Sequence, residues 1–362
     1  MYHNNSMTID YPLPLTQELM EWNLLKTARW TWSCRTLDPQ GNYQLLLQDI
    51  FVPETGDVAM VRVENTGYHT RITTASGERL RLYPDDLMVC VFGNRYATDA
   101  YEAEVTDTKN LHILTDAGMI GSVLSKNERM KSPTKVRFIG SITNAYGQRI
   151  NLKRLFFKPS IKESEFPEVI FAVGSGMNSG KTTTVSKLVK ALIFNGNRIA
   201  VSKLTGSVSA GDFSELRSVS SQDVRDFSDY GFPSTYLCGR NELFALFKTM
   251  LSDASRSNPD FVVMEIADGL LQRETRILLE DPEIKKYVKG IVFTATCASS
   301  AIFGIERIRS LGHNLLAVSG VITNAPLYVR ELKENNSAPV ASSVGNGEEL
   351  ATLVMKNLRK LR

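Results

Sequence analysis

The sequence is poor in the residue types that build disulfide frameworks and histidine-based sites. Its 362 residues include only four cysteines and four histidines. The histidines share no ligand spacing, so a histidine metal centre or a Ser-His relay has little support. No two cysteines form a C-x-x-C pair, and this pattern favours scattered reduced thiols over a disulfide framework or a zinc site. The cysteines are Cys34, Cys90, Cys238 and Cys297.

Long apolar runs and an excess of one charge are also missing. No segment reaches the roughly 18 consecutive apolar residues of a membrane helix, and residues 1–10 lack the pattern of a signal peptide. The net charge of +3 is too small to favour nucleic acid or a membrane as a partner. We therefore expect a cytoplasmic protein. The hydrophobic content of 43% is ordinary for a globular chain, and the length predicts about two domains.

The N-terminal part, residues 1–158, is predicted to be a mostly β domain, either a barrel or a sandwich. Short runs of β-branched and aromatic residues alternate there with turn signals. One hairpin is expected from strands over 71–74 and 79–82, and another from strands over 135–143 and 148–157. Residues 159–167 contain two prolines among charged residues and are predicted to form a linker.

From residue 168 to residue 362 the pattern changes to apolar strands that alternate with longer helical segments. Strands that are apolar throughout and separated by helices predict an α/β doubly wound parallel sheet. Ligands bind such sheets at the carboxyl ends of the strands. The predicted strands are 169–173, 199–204, 235–238, 261–266, 290–295, 315–322 and 340–343; the predicted helices are 182–194, 242–254, 301–311 and 348–358.

The strongest motif follows the first of these strands, where G-S-G-M-N-S-G-K-T occupies 174–182. A strand, a glycine-rich turn and a helix in this order predict a phosphate-binding loop, because the backbone N–H groups and the helix N-terminus converge on one anion. Lys181 is expected to reach the β- and γ-phosphates, and Thr182 to ligate Mg²⁺. The predicted nucleotide-binding residues are Gly174, Gly176, Asn178, Ser179, Gly180, Lys181, Thr182 and Thr183.

The spacing within this loop resembles one family. Five residues separate Gly174 from Gly180, where the usual motif has four, and Gly176 stands where partition-type ATPases have an additional lysine. G-x5-G-K-T after an apolar strand is similar to dethiobiotin synthetase and its relatives, including the cobyrinic acid amide synthetases. The resemblance covers about residues 168–360. It implies Mg-ATP as cofactor, phosphorylation of a substrate carboxylate or carbamate, and a homodimer.

Further residues match the family's pattern. Lys203 ends the second strand and looks like the lysine that holds the phosphorylated intermediate, and Ser207 looks like a substrate contact, although Thr205 is an alternative. Glu265 ends the apolar run 261–265 and resembles the family's Mg²⁺-linked glutamate. A buried carboxylate is costly unless it is paired or metal-bound.

Two assignments from the resemblance are less specific. Asn324 resembles the asparagine that reads adenine, but it could also be a turn former before Ala-Pro. A second Mg²⁺-linked carboxylate is expected after the second strand, with Asp223 preferred and Asp212 as the alternative.

The sequence also departs from the family. Ile266 and Asp268 stand where glycines are usual, and residues 270–275 do not match the family's substrate loop, so we expect an activity other than dethiobiotin synthesis. Arg273 and Arg276 could receive an anionic substrate or be ordinary surface arginines. In the β domain, residues 94–96 (Asn-Arg-Tyr) could face a ligand or a partner, or stabilise their loop.

The leading hypothesis is an Mg-ATP-dependent enzyme that activates a small carboxylate-type substrate by phosphoryl transfer, with Lys181 and Lys203 as catalytic residues. The alternative is an ATP-dependent switch whose β domain binds a protein or nucleic-acid partner. A β scaffold with an inactive nucleotide site is a third reading, against which the intact Lys181 and Thr182 argue.

Overall fold

The computed structural model describes residues 24–47, 50–159, 166–219, 224–342 and 344–361. We call residues 24–159 the β region and residues 166–361 the α/β region; their division into domains stays a prediction. The elements of the β region are β1 Arg29–Trp30, β2 Gln44–Leu47, β3 Val58–Asn65, β4 Arg71–Thr73, β5 Arg79–Arg81, β6 Leu87–Phe92, β7 Tyr101–Glu104, β8 Leu111–Ile113, β9 Met119–Lys126, β10 Thr134–Thr143 and α1 Leu152–Phe156.

Five strands of the β region close into a ring. Strand β6 pairs with β3, β3 with β10, β10 with β8 and β8 with β9, all antiparallel, and β9 returns to β6 in parallel. Alternate side chains of β3 and β6, among them Val61 and Cys90, are buried in one apolar cluster, as the two-residue period of a strand requires. Of the two predicted architectures, this closure is that of a barrel.

One predicted hairpin is confirmed and the other is wrong in its second half. Strands β4 and β5 pair antiparallel around the expected turn. After β10, only Arg149 bridges back to Thr143, and α1 follows instead of a strand over 148–157. Asn151 starts this helix because its side chain accepts a hydrogen bond from the N–H of Arg154, which satisfies a free donor of the first turn.

The α/β region contains a six-stranded sheet in the order β13-β12-β14-β11-β15-β16, and every pairing in it is parallel. Its elements are β11 Glu168–Gly174, α2 Lys181–Phe194, β12 Ile199–Lys203, α3 Ala210–Val219, β13 Arg225–Asp226, α4 Arg240–Ser255, β14 Phe261–Glu265, α5 Arg273–Glu280, α6 Pro282–Lys285, β15 Val288–Thr294, α7 Ala298–Ser310, β16 Leu315–Ser319, α8 Pro326–Asn335 and α9 Glu348–Arg359.

Helices cover both faces of this sheet. Alternate residues of β11 enter two different cores: Phe171 packs with residues of α4 and α7, and Ile170 packs with residues of α2 and α9. The doubly wound parallel sheet is therefore confirmed, and it places the carboxyl ends of β11, β12 and β14 side by side.

Two predicted strands are absent from the sheet as far as the described residues show it; Ser343, in the second of them, lies outside those residues. Residues 235–238 form a turn, and Val340 makes only one bridge, to Val318. Helices α3, α5, α6 and α8 were not predicted. The strand expected over 315–322 ends at Ser319, because Gly320 has a φ of +87° and turns the chain out of the sheet.

The two regions make specific contacts with each other. Arg35 of the β region donates hydrogen bonds to Ser228 Oγ at 2.9 Å and Asp229 Oδ1 at 2.6 Å. Tyr236 of the α/β region donates to Glu102 at 3.4 Å. Residues 160–165 of the predicted linker lie outside the described residues. Within the described ranges, every helix is too short or too polar to cross a bilayer.

Candidate functional site

The predicted phosphate-binding loop connects β11 to α2 at the carboxyl edge of the sheet. Asn178 and Gly180 have φ angles of +58° and +87°, which turn the loop sharply before the helix begins at Lys181. Gly174 has no space for a side chain, since a Cβ there would lie 2.3 Å from Ser179 Oγ. The sequence motif is therefore matched by the strand–loop–helix geometry that it predicts.

Neighbouring strands hold this loop in place. Ser179 Oγ and Thr294 Oγ1 are 2.8 Å apart in a buried hydrogen bond. The N–H of Ser175 donates to the carbonyl of Thr294 at 2.8 Å, and the N–H of Val321 donates to the carbonyl of Ser179 at 3.1 Å. Such fixation means that little loop entropy is lost when an anion binds.

Lys181 lies at the centre of the loop, and its ammonium group is held by two carbonyl oxygens. Its Nζ donates to Gly176 O at 2.8 Å and to Asp268 O at 2.7 Å. Burial lowers the pKa of Lys181, while the carboxylates of Glu265 and Asp268 oppose that shift. A partly desolvated cation that faces the loop interacts strongly with phosphate oxygens.

Glu265, the last residue of β14, contacts both the phosphate-binding loop and the end of β12. Its Oε1 accepts a hydrogen bond from Thr182 Oγ1 at 3.2 Å and lies 3.5 Å from the Nζ of Lys203. Lys203 also donates to Asp212. Burial alone would lower the pKa of Lys203, but the carboxylates of Glu265 and Asp212 outweigh it and raise that pKa. The two carboxylates therefore favour the charged form of Lys203 at the site.

The residues present fit a Mg²⁺ ion that is bound together with phosphates. Glu265 is 1% exposed, and its Oε2 has no hydrogen-bond partner, although a buried carboxylate oxygen normally has one. No group of three His, Cys, Asp or Glu side chains suited to a metal occurs among the described residues. Mg²⁺ is commonly held by one or two protein oxygens plus phosphates and water, and Thr182 Oγ1 with Glu265 would supply those oxygens.

A cavity of about 790 Å³ opens from this constellation to the β region. Its α/β wall includes Lys181, Thr182, Lys203 and Glu265, and its β wall includes basic residues of the first hairpin and of the loop after β6. The predicted phosphate-binding loop therefore faces a cavity that both regions line.

The other predicted residues differ in their placement. Ser207 and Thr183 line the cavity, whereas the Thr205 hydroxyl accepts a buried hydrogen bond from the N–H of Ala267 at 2.9 Å, so Ser207 is the better placed of the two alternatives. Asn324 is exposed and is not part of the cavity lining; its contact with a base stays a prediction.

The sequence offered two candidates for a second Mg²⁺-linked carboxylate, and the structure describes one of them. Asp223 lies outside the described residues, while Asp212, the alternative, lines the cavity beside Lys203. Arg273 and Arg276 are not part of the cavity lining. They pair with Glu274 and Glu280 of their own helix, which favours the surface role.

Sequence reasoning noted Asp268 only as an acid where the family has a glycine, and it did not single out Asp99. Asp268 has a φ of +61° and lines the cavity, and burial raises its pKa to about 6 against the opposing pull of Lys181 and Lys203. Asp99 of the β region accepts a hydrogen bond from Asn178 of the phosphate-binding loop at 2.7 Å. Only the three-dimensional fold brings Asp99 to that loop, 79 positions away in the sequence.

We expect the Asp268 carboxyl to make the stability of the protein depend on pH. Its pKa in the folded chain is about 6, against an ordinary value of 3.8, so the folded state binds more protons than the unfolded state between pH 4 and 6. Stability then falls as the pH rises through that window, by up to about 3 kcal/mol. Urea unfolding of the nucleotide-free wild type and of Asp268→Asn at pH 4 and 7 measures this. Parallel losses in the two proteins would contradict the assignment.

Comparison with known proteins adds little to this geometry. No protein-family model and no curated protein matches the chain. Solved structures that match include signal recognition particle 54 kDa protein from Aeropyrum pernix K1 with GDP (17% identity, 58% of this chain and 52% of that one, TM-score 0.37). Others are receptor FtsY from Elizabethkingia anophelis (15%, 57% and 60%, 0.31) and chloroplast FtsY from Physcomitrella patens (16%, 57% and 70%, 0.36).

These likenesses carry no argument about activity. The chain spans only 52% and 60% of the first two structures, and none of the three is a dethiobiotin synthetase, so they lend no support to that family resemblance. What the chain's own strand order, loop and helix establish is coarser: the α/β region has the doubly wound parallel-sheet fold that P-loop NTPases share, and the glycine-rich loop 174–182 connects β11 to α2. Nucleotide binding at this loop stays a prediction.

Proposed function

We propose that this protein transfers the terminal phosphoryl group of a Mg²⁺-bound nucleoside triphosphate to a small carboxylate-bearing acceptor. The observation that carries the proposal is the cavity, which extends from Lys181 and Thr182 past the buried pair Lys203–Glu265 to the basic wall of the β region. A chamber of about 790 Å³ is within the usual size range for small-ligand sites.

In the proposed reaction, a carboxylate oxygen of the acceptor forms a bond to the γ-phosphorus. The bond from that phosphorus to the bridging oxygen breaks, and the nucleoside diphosphate leaves with this oxygen and its electron pair. Catalysis of this kind is mainly positioning and charge neutralisation. Lys181 neutralises charge on the phosphates, and Lys203, held in place by Glu265 and Asp212, attracts the acceptor anion.

The role of Glu265 is to orient the hydroxyl of Thr182 and, with it, to hold Mg²⁺. When held by Thr182 and Glu265, Mg²⁺ would neutralise negative charge on the phosphates. This class of reaction is the one that the resemblance to dethiobiotin synthetase implies.

Nucleotide turnover in the presence of candidate acceptors tests the proposal. Purified protein is incubated with Mg-ATP or with Mg-GTP, with and without a pool of small carboxylates, and products are analysed by mass spectrometry. We expect a phosphorylated or ligated product that requires the pool, and a preference for ATP if Asn324 reads adenine. Turnover that needs no acceptor and gives only free phosphate would contradict the transfer. Light scattering of the same sample tests the expected homodimer.

One observation favours the alternative, in which nucleotide binding switches the β region between partner-binding states. The β region contacts the phosphate-binding loop directly, through the Asn178–Asp99 hydrogen bond and through Met177, which packs against Ala97, Ala100 and Tyr101. A loop that changes when nucleotide binds would therefore transmit that change to residues 97–101. Turnover stimulated by a protein or a nucleic acid would support this reading.

If the switch operates, Asp99→Ala uncouples the two regions. Mg-nucleotide is expected to slow hydrogen exchange at the N–H groups of Arg95 and Ala103, which bond each other's carbonyls at 2.8 and 2.9 Å. In the variant this nucleotide-dependent protection falls by about 2- to 10-fold, the range for one hydrogen bond. Asp107→Ala, an exposed change elsewhere in the β region, is the control. Exchange that is insensitive to nucleotide in the wild type excludes this coupling.

A further inference from the structure

The β wall of the cavity is basic. Arg71, Arg79 and Arg95 line it together with His69, and the acidic residue among them is Asp116. Asp116 is 3.7 Å from Arg79 in a largely exposed ion pair, and such pairs contribute little. The wall that faces the phosphate-binding loop therefore carries an excess of positive charge.

Arg95 is the most unusual member of this wall. Its Nε and Nη1 atoms are buried and have no hydrogen-bond partner, and no ion pair to its guanidinium group occurs within the described ranges. Burial lowers the pKa of Arg95, and the carboxylates of Asp99 and Asp116 oppose that shift from a distance. Buried guanidinium N–H groups without an acceptor are unfavourable, and an anion in the cavity would remove that cost.

His69 provides a second unpartnered polar atom in the same wall. It is 8% exposed, and its Nδ1 is buried without a hydrogen-bond partner. Burial and the charge of Arg95 lower the pKa of His69 to about 3, so the ring is neutral and adds no charge of its own. The ring has a hydrogen bond with the backbone of Ile113, which leaves Nδ1 as an acceptor in the neutral ring. Nδ1 is therefore suited to a hydroxyl group of a ligand, beside the oxyanion that the unpartnered N–H groups of Arg95 require.

The opposite wall explains why this anion site is additional to the phosphate-binding loop. On that side Lys181 and Lys203 are accompanied by the carboxylates of Asp212, Glu265 and Asp268. The backbone amides, Lys181 and Mg²⁺ would balance the nucleotide phosphates there. Those groups do not balance the charge of the β wall, and Arg is the side chain best suited to bind a carboxylate or phosphate through two hydrogen bonds.

We propose that Arg95, flanked by Arg71 and Arg79, forms an oxyanion-binding site on the β wall of the cavity. This inference rests on the proposed function, because it takes the oxyanion to be part of the reaction at the phosphate-binding loop. The oxyanion is a carboxylate or a phosphate group, supplied either by the acceptor or by the terminal phosphoryl group of the nucleotide. In both cases arginines of the β region complete a site whose other residues belong to the α/β region.

Calorimetry with inorganic phosphate and with succinate tests this site. Each anion is titrated at constant ionic strength into the full chain, once without nucleotide and once with saturating Mg²⁺ and nucleoside diphosphate. We expect Arg95→Gln to weaken binding by roughly 10- to 100-fold, the range for charge-assisted hydrogen bonds, and Arg95→Lys to weaken it less. Arg137→Gln removes an exposed arginine outside the cavity lining and is expected to bind like the wild type.

A repeat with a non-hydrolysable triphosphate separates the two sources. Loss of both phosphate and succinate binding assigns the oxyanion to the terminal phosphoryl group, and retained binding of either anion assigns it to the acceptor; both results support the site. Wild-type affinity in folded Arg95→Gln, or no binding of either anion to the wild type, overturns it. Because the first titration contains no nucleotide, its result is independent of whether the protein catalyses phosphoryl transfer.

Discussion

Lys181→Ala is expected to abolish measurable nucleotide binding. The ammonium group of Lys181 lies within the phosphate-binding loop, 2.8 Å from Gly176 O, and no other cation occupies that position among the described residues. Replacement removes two or more charge-assisted hydrogen bonds to phosphate, each contributing about 1.5–3 kcal/mol. Nucleotide affinity should therefore fall by at least about 100-fold, as measured by calorimetry with Mg-ATP and with Mg-GTP.

The matched control for this change is Lys190→Ala, which removes an exposed lysine from the same helix. We expect Lys190→Ala to bind nucleotide like the wild type and both variants to melt near the wild-type temperature, since Lys181 is a desolvated cation whose removal exposes no apolar core. Unchanged affinity in folded Lys181→Ala would refute the assignment of the loop, and with it the proposed function.

The sequence was sufficient to predict the α/β region because its signals are local. An apolar strand, a glycine-rich turn and a helix are adjacent in the chain, so Gly174 to Thr182 could be interpreted before any tertiary contact was known. The predicted strand over 235–238 failed for the opposite reason. The segment forms a turn that buries Thr235 and Cys238 but leaves Leu237 41% exposed. The Thr235 side chain accepts a hydrogen bond from the N–H of Gly206, a tertiary contact that periodicity does not encode.

The residues of the candidate site also divide into those that local sequence signals predicted and those that only the tertiary fold brings together. Glu265 was predicted as a site residue because a carboxylate at the end of a buried strand is conspicuous, and the structure brings it to Thr182 and Lys203. The β wall was not predicted as a unit, although Arg95 was considered as a ligand contact. His69, Arg71 and Arg95 belong to different turns and strands, and only the closed ring of the β region brings them to one cavity.

Glu265→Gln is expected to reduce nucleotide turnover by about 100-fold or more while leaving Mg²⁺-free nucleotide binding nearly unchanged. The amide retains an oxygen that can accept from Thr182 Oγ1, so the loop keeps its geometry. The negative charge is lost, however, and with it the attraction for Mg²⁺ and for Lys203, 3.5 Å away. Losses of this size are typical when a group that orients a metal or a developing charge is neutralised.

The distinguishing measurement is the dependence of nucleotide affinity on Mg²⁺, which should be strong in the wild type and weak in Glu265→Gln. Glu306→Gln, an exposed change on α7, controls for the loss of one negative charge. A merely structural role for Glu265 would lower the melting temperature and leave the Mg²⁺ dependence of the remaining folded protein intact. The buried, unpartnered Oε2 of Glu265 argues for the first outcome, because an oxygen kept out of water without a hydrogen bond needs a cation or its bound water as a partner.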